Sequence, residues 1–153
     1  MIELKKATLR DIKEMQSMVV SEVRDGIILK RSDDEIATNI RSYVLAKEGN
    51  RLVGYGSLHI HSASLAEIRS LIVDKAYRSQ GLGKKIVNFA LDEAKDYEVE
   101  EVLVLTYSAE FFKKLGFLEI PKTDIPDHKI WADCIKCIHF PVCNEISLIY
   151  KIV

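Results

Sequence analysis

Residues 77–87 read YRSQGLGKKIV, and the fold turns on how this stretch is read. In a chain with seven glycines, Gly81 and Gly83 stand two apart behind Arg78, where an amphipathic helix begins. Downstream, Leu82, Ile86, Phe89, Ala90 and Ala94 recur at the three-and-four spacing of one helical face. The glycines therefore sit at a helix N-terminus, where the first backbone N–H groups have no partner within the helix. Without a Cβ, glycine lets that backbone approach a ligand closely, and bare amides at a helix start favour an anion. One reading is a phosphate cradle and the other a plain loop-to-helix turn; two glycines alone do not separate them. A P-loop needs glycine at 78 and Ser or Thr at 85, where this chain has Arg78 and Lys85. A dinucleotide fingerprint needs a small residue at 86, which is Ile86.

The flanks favour the cradle. SLAEIRSLIV (64–73) reads as a strand, the helix runs over 82–96, and VLVLTY (102–107) reads as a buried strand. Together they form one βαβ unit, with parallel strands and a right-handed crossover. The glycine turn then lies at the C-terminal end of a parallel strand, where open α/β sheets bind ligands. Upstream, MIELKKA is a first strand. Thr8 and Asp11 form an acidic variant of a capping box before a helix to about residue 24, whose face is Leu9, Ile12, Met15, Val19 and Val23. Ser32 and Glu35 start a second, shorter helix carrying Ile36 and Ile40. Residues 43–48 and 51–60 pair around the Glu48-Gly49-Asn50 turn, so the sheet is mixed. Ser108 opens a short helix ending at Gly116, an irregular stretch follows to about 143, and EISLIYKI closes the chain as a strand. No repeat or linker interrupts 1–153, and one domain is expected.

Composition excludes several classes. The apolar share is 48 %, the charged share 29 %, and the formal net charge −1, which suits neither disorder nor electrostatic capture of nucleic acid. No apolar run approaches the roughly 20 residues of a membrane span, and MIELKKATLRDI lacks the apolar centre of a signal peptide. Three cysteines within ten residues do not make a secreted disulfide framework. A cytoplasmic protein without membrane or nucleic-acid partners is expected.

VDKAYRSQGLGKKIV (73–87) resembles the signature of GCN5-related N-acetyltransferases: Arg or Gln, two residues, Gly, one residue, then Gly or Ala. Arg78, Gly81 and Gly83 match it. The order β-α-α-β-β-β-α-β-α-β suits that family, and FFKKLGF (111–117) resembles its second landmark. KIWADCIKCIHFPVCNEISLI (129–149), with AEIRSLIV and LTYSAEFFKKLGF, is similar to the short-form N-acetylglutamate synthases of bacterial arginine biosynthesis. The resemblance implies an α/β GCN5-related N-acetyltransferase fold, a mixed central sheet with helices on both faces. It implies acetyl-CoA as donor co-substrate, a small amino acid as acceptor, no metal, and leaves a homodimer open. The pyrophosphate would lie against Arg78, Ser79, Gln80, Gly81, Leu82, Gly83 and Lys84, and the pantetheine arm against the backbone of Leu71, Ile72 and Val73.

Acetyl transfer needs a neutral amine, a polarised thioester and a leaving thiolate, so a base must take a proton from an amino acid's ammonium. Period two puts Glu67, Arg69, Leu71 and Val73 on one strand face. A charged pair on a central strand is costly unless paired. Glu67 is either half of a structural pair with Arg69 or, as the resemblance implies, the general base, direct or through water. Many acetyltransferases carry a tyrosine acid where this chain has Phe112; Tyr107 is the alternative acid, against a core tyrosine. A thiol of pKa near 8.5 leaves readily enough that an acid is not obligatory. Arg24, Arg31, Arg69 and Lys129 are the candidate cations for the acceptor's carboxylates, each weighed against an ordinary surface or strand-end charge. Cys134, Cys137 and Cys143 with His139 number four metal-ligand types, but the irregular spacing favours packed thiols in a lid. His59 and His61 are not distinguishable by sequence from ordinary strand histidines. Beside L-glutamate as acceptor stand two rivals, an acetyltransferase for another small amine or protein N-terminus, and a non-catalytic acyl-CoA-binding regulator.

Overall fold

The computed structural model describes residues 1–125 and 145–152. In chain order its elements are β1 (Ile2–Lys6), α1 (Ile12–Met18), α2 (Val20–Arg24), α3 (Asp33–Thr38), β2 (Tyr43–Glu48), β3 (Arg51–Ile60) and β4 (Leu65–Val73). Then follow α4 (Leu82–Tyr97), β5 (Glu101–Thr106), α5 (Ala109–Lys114), β6 (Leu118–Ile120) and β7 (Ile146–Lys151). The seven strands form one sheet in the order β1-β2-β3-β4-β5-β7-β6. Among the described residues only the β4–β5 pairing is parallel. Among the described residues no helix is long and apolar enough to cross a membrane.

Helices cover both faces. On one face α4 buries Leu82, Ile86, Ala90 and Ala94 of the stripe its spacing predicts, together with Val87 and Leu91, and leaves Phe89 half-buried. It sits so close to β3 that a Cβ on Gly56 would stand 2.9 Å from Ile86 Cγ2. On the other face Ile12, Met15 and Val19, with Ile36 of α3, pack on Tyr43, Leu45, Tyr55 and Ile72. Burying each aliphatic side chain of this kind stabilises by roughly 1.5–3 kcal/mol. Both capping boxes form: the Ser32 amide donates to Glu35 Oε1 at 2.9 Å, and the Thr8 amide to Asp11 Oδ2 at 2.8 Å.

Three elements differ from the sequence reading. Helix α3 ends at Thr38 and leaves Ile40 to a separate 3-10 turn, Ile40–Ser42. The first helix is not continuous to residue 24, because Val19 (φ −110°, ψ 10°) leaves helical geometry between α1 and α2. The β-branched pair Val19-Val20 is stiff at χ1 and resists a regular turn, and Val19 is buried in the core while Val20 is exposed. Residues 118–120 are not irregular but pair antiparallel with β7. Three residues are too short to display a period.

Candidate active site

The site begins where two strands part. The parallel rungs between β4 and β5 are Leu65↔Glu101, Ala66↔Val102 and Glu67↔Leu103, and no rung follows. Beyond that point β4 stays with β3, and β5 stays with β7. The fork opens a cleft of about 660 Å³. Among the described residues its walls are Ile68–Val73 of β4, Val104–Ser108 at the end of β5, Phe111 and Phe112 of α5, and the Gly81–Lys84 start of α4. Glu22, Ile27 and Ile28 close it from the α2 side, with Tyr77–Ser79 and Glu145 on the rim. The cleft-facing edges of β4 and β5 therefore offer strand N–H and C=O groups outside any ladder.

A bulge in β4 corrects one inference from period two. The register against β3 runs Ile72 opposite Tyr55, then Arg69 opposite Ser57, so β4 carries one extra residue there. Ser70 takes it up with φ +57°. An extra residue reverses the alternation. Glu67 and Arg69 thus face one side, while Leu71 and Val73 pack toward α4 and Ile86 on the other. Among the described residues Ser70, Ser79 and Glu98 are the non-glycines with positive φ, and Ser70 and Ser79 both line the cleft. Held backbone strain of this kind gathers at functional sites.

The glycine turn opens the start of α4 onto the cleft. Asp74 caps the turn before it by accepting from the Ala76 amide at 2.9 Å, and Arg78 Nε donates to the Val73 carbonyl at 3.1 Å. Gly81 has φ +77°, which a side chain would strain. The first-turn amides of α4 follow it into the cleft, where they lack carbonyl partners four residues back. A Cβ on Gly83 would meet Phe111 Cζ at 3.2 Å. Gln80 lies outside the lining and its amide donates to the Ala76 carbonyl at 3.4 Å.

Four polar side chains gather at the fork, Glu67, Arg69 and two histidines that the sequence reading passed over. His61 Nε2 lies 2.8 Å from Glu67 Oε1, and both side chains are 3 % exposed. Arg69 Nη2 lies 2.9 Å from His59 Nδ1. The two imidazoles meet edge to face at 4.7 Å. Arg69 lines the cleft; Glu67 lies at the last shared rung, beneath the lining. The signal was available: a hairpin linking 51–60 to 64–73 sets His59 opposite Glu67, hence on its face.

The other candidates are dispersed. Tyr107 stands at the mouth of β5, 45 % exposed and on the lining. Phe112 is buried, edge-on to Phe111 at 5.0 Å and Phe117 at 5.3 Å, so hydrophobic packing occupies the place of the common tyrosine. Arg24 pairs with neighbouring Asp25 at 3.1 Å on the surface. Arg31 lies off the lining, where its carbonyl accepts from Gln16 Nε2 at 2.8 Å. Burial raises the pKa of the Tyr55 phenol, and the nearby Arg31 charge opposes that rise. Glu22, unremarked in the sequence, lines the cleft and reaches to 4.0 Å from Arg78. Lys129, Cys134, Cys137, His139 and Cys143 lie outside the described residues. Among the described residues no cluster of three or more His, Cys, Asp or Glu is arranged to hold a metal ion.

The acetyltransferase (GNAT) family model matches residues 9–117. An uncharacterized N-acetyltransferase of Chlorobaculum tepidum, CT2212, is 34 % identical over 95 % of this chain and 94 % of its own length. An amino-acid acetyltransferase of Mycobacterium tuberculosis is 41 % identical, over 49 % of this chain and 43 % of its own. Among solved structures, N-acetylglutamate synthase from Neisseria gonorrhoeae, complexed with coenzyme A and N-acetyl-glutamate, superposes with a TM-score of 0.84. It is 19 % identical, and the match covers all of this chain but 35 % of that one. Rv2747 from Mycobacterium tuberculosis, in complex with CoA, gives a TM-score of 0.83 at 23 % identity over 99 % of both chains. At those identities the likeness is one of fold.

Proposed function

The chain belongs to the acetyltransferase (GNAT) family of acetyl-CoA-dependent N-acetyltransferases, and on that premise we propose that its acceptor is the α-amine of a small amino acid, foremost L-glutamate. The observation that carries this reading is the Arg69 guanidinium in the cleft, one pleat from the buried Glu67 carboxylate. An acceptor carboxylate on Arg69 sets its amine near the fork, where Glu67 takes the proton through a water. A carboxylate that close to an arginine gains a charge-assisted, two-pronged contact. The amino-acid acetyltransferases among the relatives support the same class, although this chain covers less than half of their length.

The donor's place follows from the cradle. The amides of residues 79–84, with the side chains of Arg78 and Lys84 beside them, suit a pyrophosphate at the positive end of α4. The β4 edge at Leu71, Ile72 and Val73 suits the amides of an extended pantetheine arm. Tyr107 is the candidate to protonate the leaving thiolate. A second reading keeps one observation of its own: Glu22 and Glu145 on the cleft wall suit a cationic amine better than glutamate.

Release of CoA thiol with acetyl-CoA against a panel of amino acids, polyamines and peptides tests the assignment. Turnover with L-glutamate at least tenfold above glutamine and aspartate is the expected result. Robust turnover of a polyamine with glutamate inert overturns it in favour of the second reading.

A further inference from the structure

Arg69 and His59 stand diagonally across the β3–β4 ladder, since His59 is the Cα partner of Glu67 and Ser57 that of Arg69. Diagonal partners on one face lie within reach of long side chains. Here Arg69 Nη2 comes to 2.9 Å from His59 Nδ1. A guanidinium carries donors and no acceptor. The imidazole nitrogen facing it must therefore be the bare, accepting one, and His59 carries its proton on Nε2. The His59 ring also meets His61 edge to face at 4.7 Å, and His61 is itself tied to Glu67 at 2.8 Å. The bulge at Ser70 adds a second constraint from the backbone, because it turns the strand immediately after Arg69.

We propose that His59 is a positioning residue for the acceptor: by accepting from Arg69 at Nδ1 it fixes the plane of the guanidinium that receives the acceptor carboxylate in the cleft. The inference rests on the reading of Arg69 as the carboxylate site and deepens it. An arginine side chain is long and rotamer-rich, and a two-pronged contact needs its plane held before the acceptor arrives. Anchoring one nitrogen through a ring that is itself held by His61 does this without placing another charge in the cleft.

The test is steady-state kinetics with L-glutamate as acceptor on four proteins: wild type, His59→Leu, His59→Asn and Arg69→Met. Asparagine puts a carbonyl oxygen near the place of Nδ1; leucine keeps the bulk and offers no acceptor. The expected result is a glutamate KM at least tenfold higher in His59→Leu, within about threefold of wild type in His59→Asn, and an unchanged acetyl-CoA KM in both. A raised glutamate KM in Arg69→Met with none in His59→Leu overturns the role of His59 and leaves the Arg69 reading standing. An unchanged glutamate KM in Arg69→Met overturns the Arg69 reading itself. Equal impairment of His59→Asn and His59→Leu overturns the hydrogen-bonding role. If the leucine variant does not fold, nitrogen-15 NMR of the wild type decides: a proton on His59 Nδ1 overturns the proposal, and a bare Nδ1 with the proton on Nε2 supports it.

Discussion

The ring of Phe111 stands 3.2 Å from where a Cβ on Gly83 would lie, so an aromatic side chain of α5 packs directly against the first turn of α4. Gly83→Asp separates folding from binding at this point. An aspartate in the first helical turn gains about 0.3–1 kcal/mol from the helix dipole, and its intrinsic helix propensity is slightly better than that of glycine. Against these stands the Phe111 ring, which must give by a few tenths of an ångström to admit the Cβ. The melting temperature should therefore hold, while the new carboxylate repels a pyrophosphate. The acetyl-CoA KM is expected to rise at least tenfold, ~1.4 kcal/mol. A folded variant with an unchanged acetyl-CoA KM would remove the cradle from the account.

Glu67→Gln tests the base. The amide carbonyl can still accept from His61 Nε2, so the buried contact at 2.8 Å survives the change. Loss of a general base costs about 10²–10⁴ in rate. The expected outcome is a fall of that size in kcat with the acetyl-CoA KM within about threefold of wild type. A kcat within a few-fold of wild type at neutral pH makes Glu67 a structural partner of His61.

The frame of the fold was legible because α4 and its flanking strands are long enough for periodicity to show. Leu82, Ile86, Ala90 and Ala94 all fall in the core. The fork itself was not legible. Nothing in AEIRSLIV marks Ser70 for positive φ, since serine rarely adopts it, and so Leu71 and Val73 were put on the face of Glu67. The strand Leu118–Ile120 is stabilised by its partner rather than by its own pattern. His59 and His61 were visible as letters, but their chemistry depends on a register that pairs them with Arg69 and Glu67 across the ladder. Arg24 shows another limit: arginine type and loop position suggest an acceptor contact, and the sequence does not show that its guanidinium stands 3.1 Å from Asp25 on the surface.

Asp11 predicts a pH dependence of stability. Partial burial pushes its carboxyl pKa up, but hydrogen bonds from Lys47 and from the Thr8 amide and hydroxyl outweigh that and hold it below the ordinary value. Lys47 Nζ lies 2.9 Å from Asp11 Oδ1, with both side chains 14 % exposed. A carboxyl whose folded pKa lies below its unfolded value stabilises the fold above the unfolded pKa, about 3.9, and loses that contribution as pH falls through the folded pKa. Asp11→Asn should thus be less stable than wild type at pH 7, with the difference shrinking below about pH 4. Chemical denaturation at pH 7 and pH 3 measures it. A difference that stays constant between the two would show that the Lys47 pair and the capping box stabilise nothing through charge.

Arg69 and Glu22 carry opposite charges into one cleft, and acceptor choice depends on which of them the acceptor approaches. A carboxylate acceptor on Arg69 makes a charge-assisted contact worth about 1.5–3 kcal/mol. Arg69→Met should therefore raise the L-glutamate KM tenfold or more. Glu22 acts with the opposite sign. Charge pairs open to solvent are worth about 0.2–1 kcal/mol, so removing the like charge in Glu22→Gln should lower the glutamate KM by up to about fivefold. Glu22 also stands 4.0 Å from Arg78, and releasing that arginine toward a pyrophosphate should lower the acetyl-CoA KM as well. For a polyamine both signs reverse: Glu22→Gln weakens it and Arg69→Met relieves it. Measuring both acceptors on both variants therefore assigns the acceptor by sign rather than by size. Glutamate KM values that fall in Arg69→Met and rise in Glu22→Gln would place the glutamate carboxylates elsewhere than Arg69.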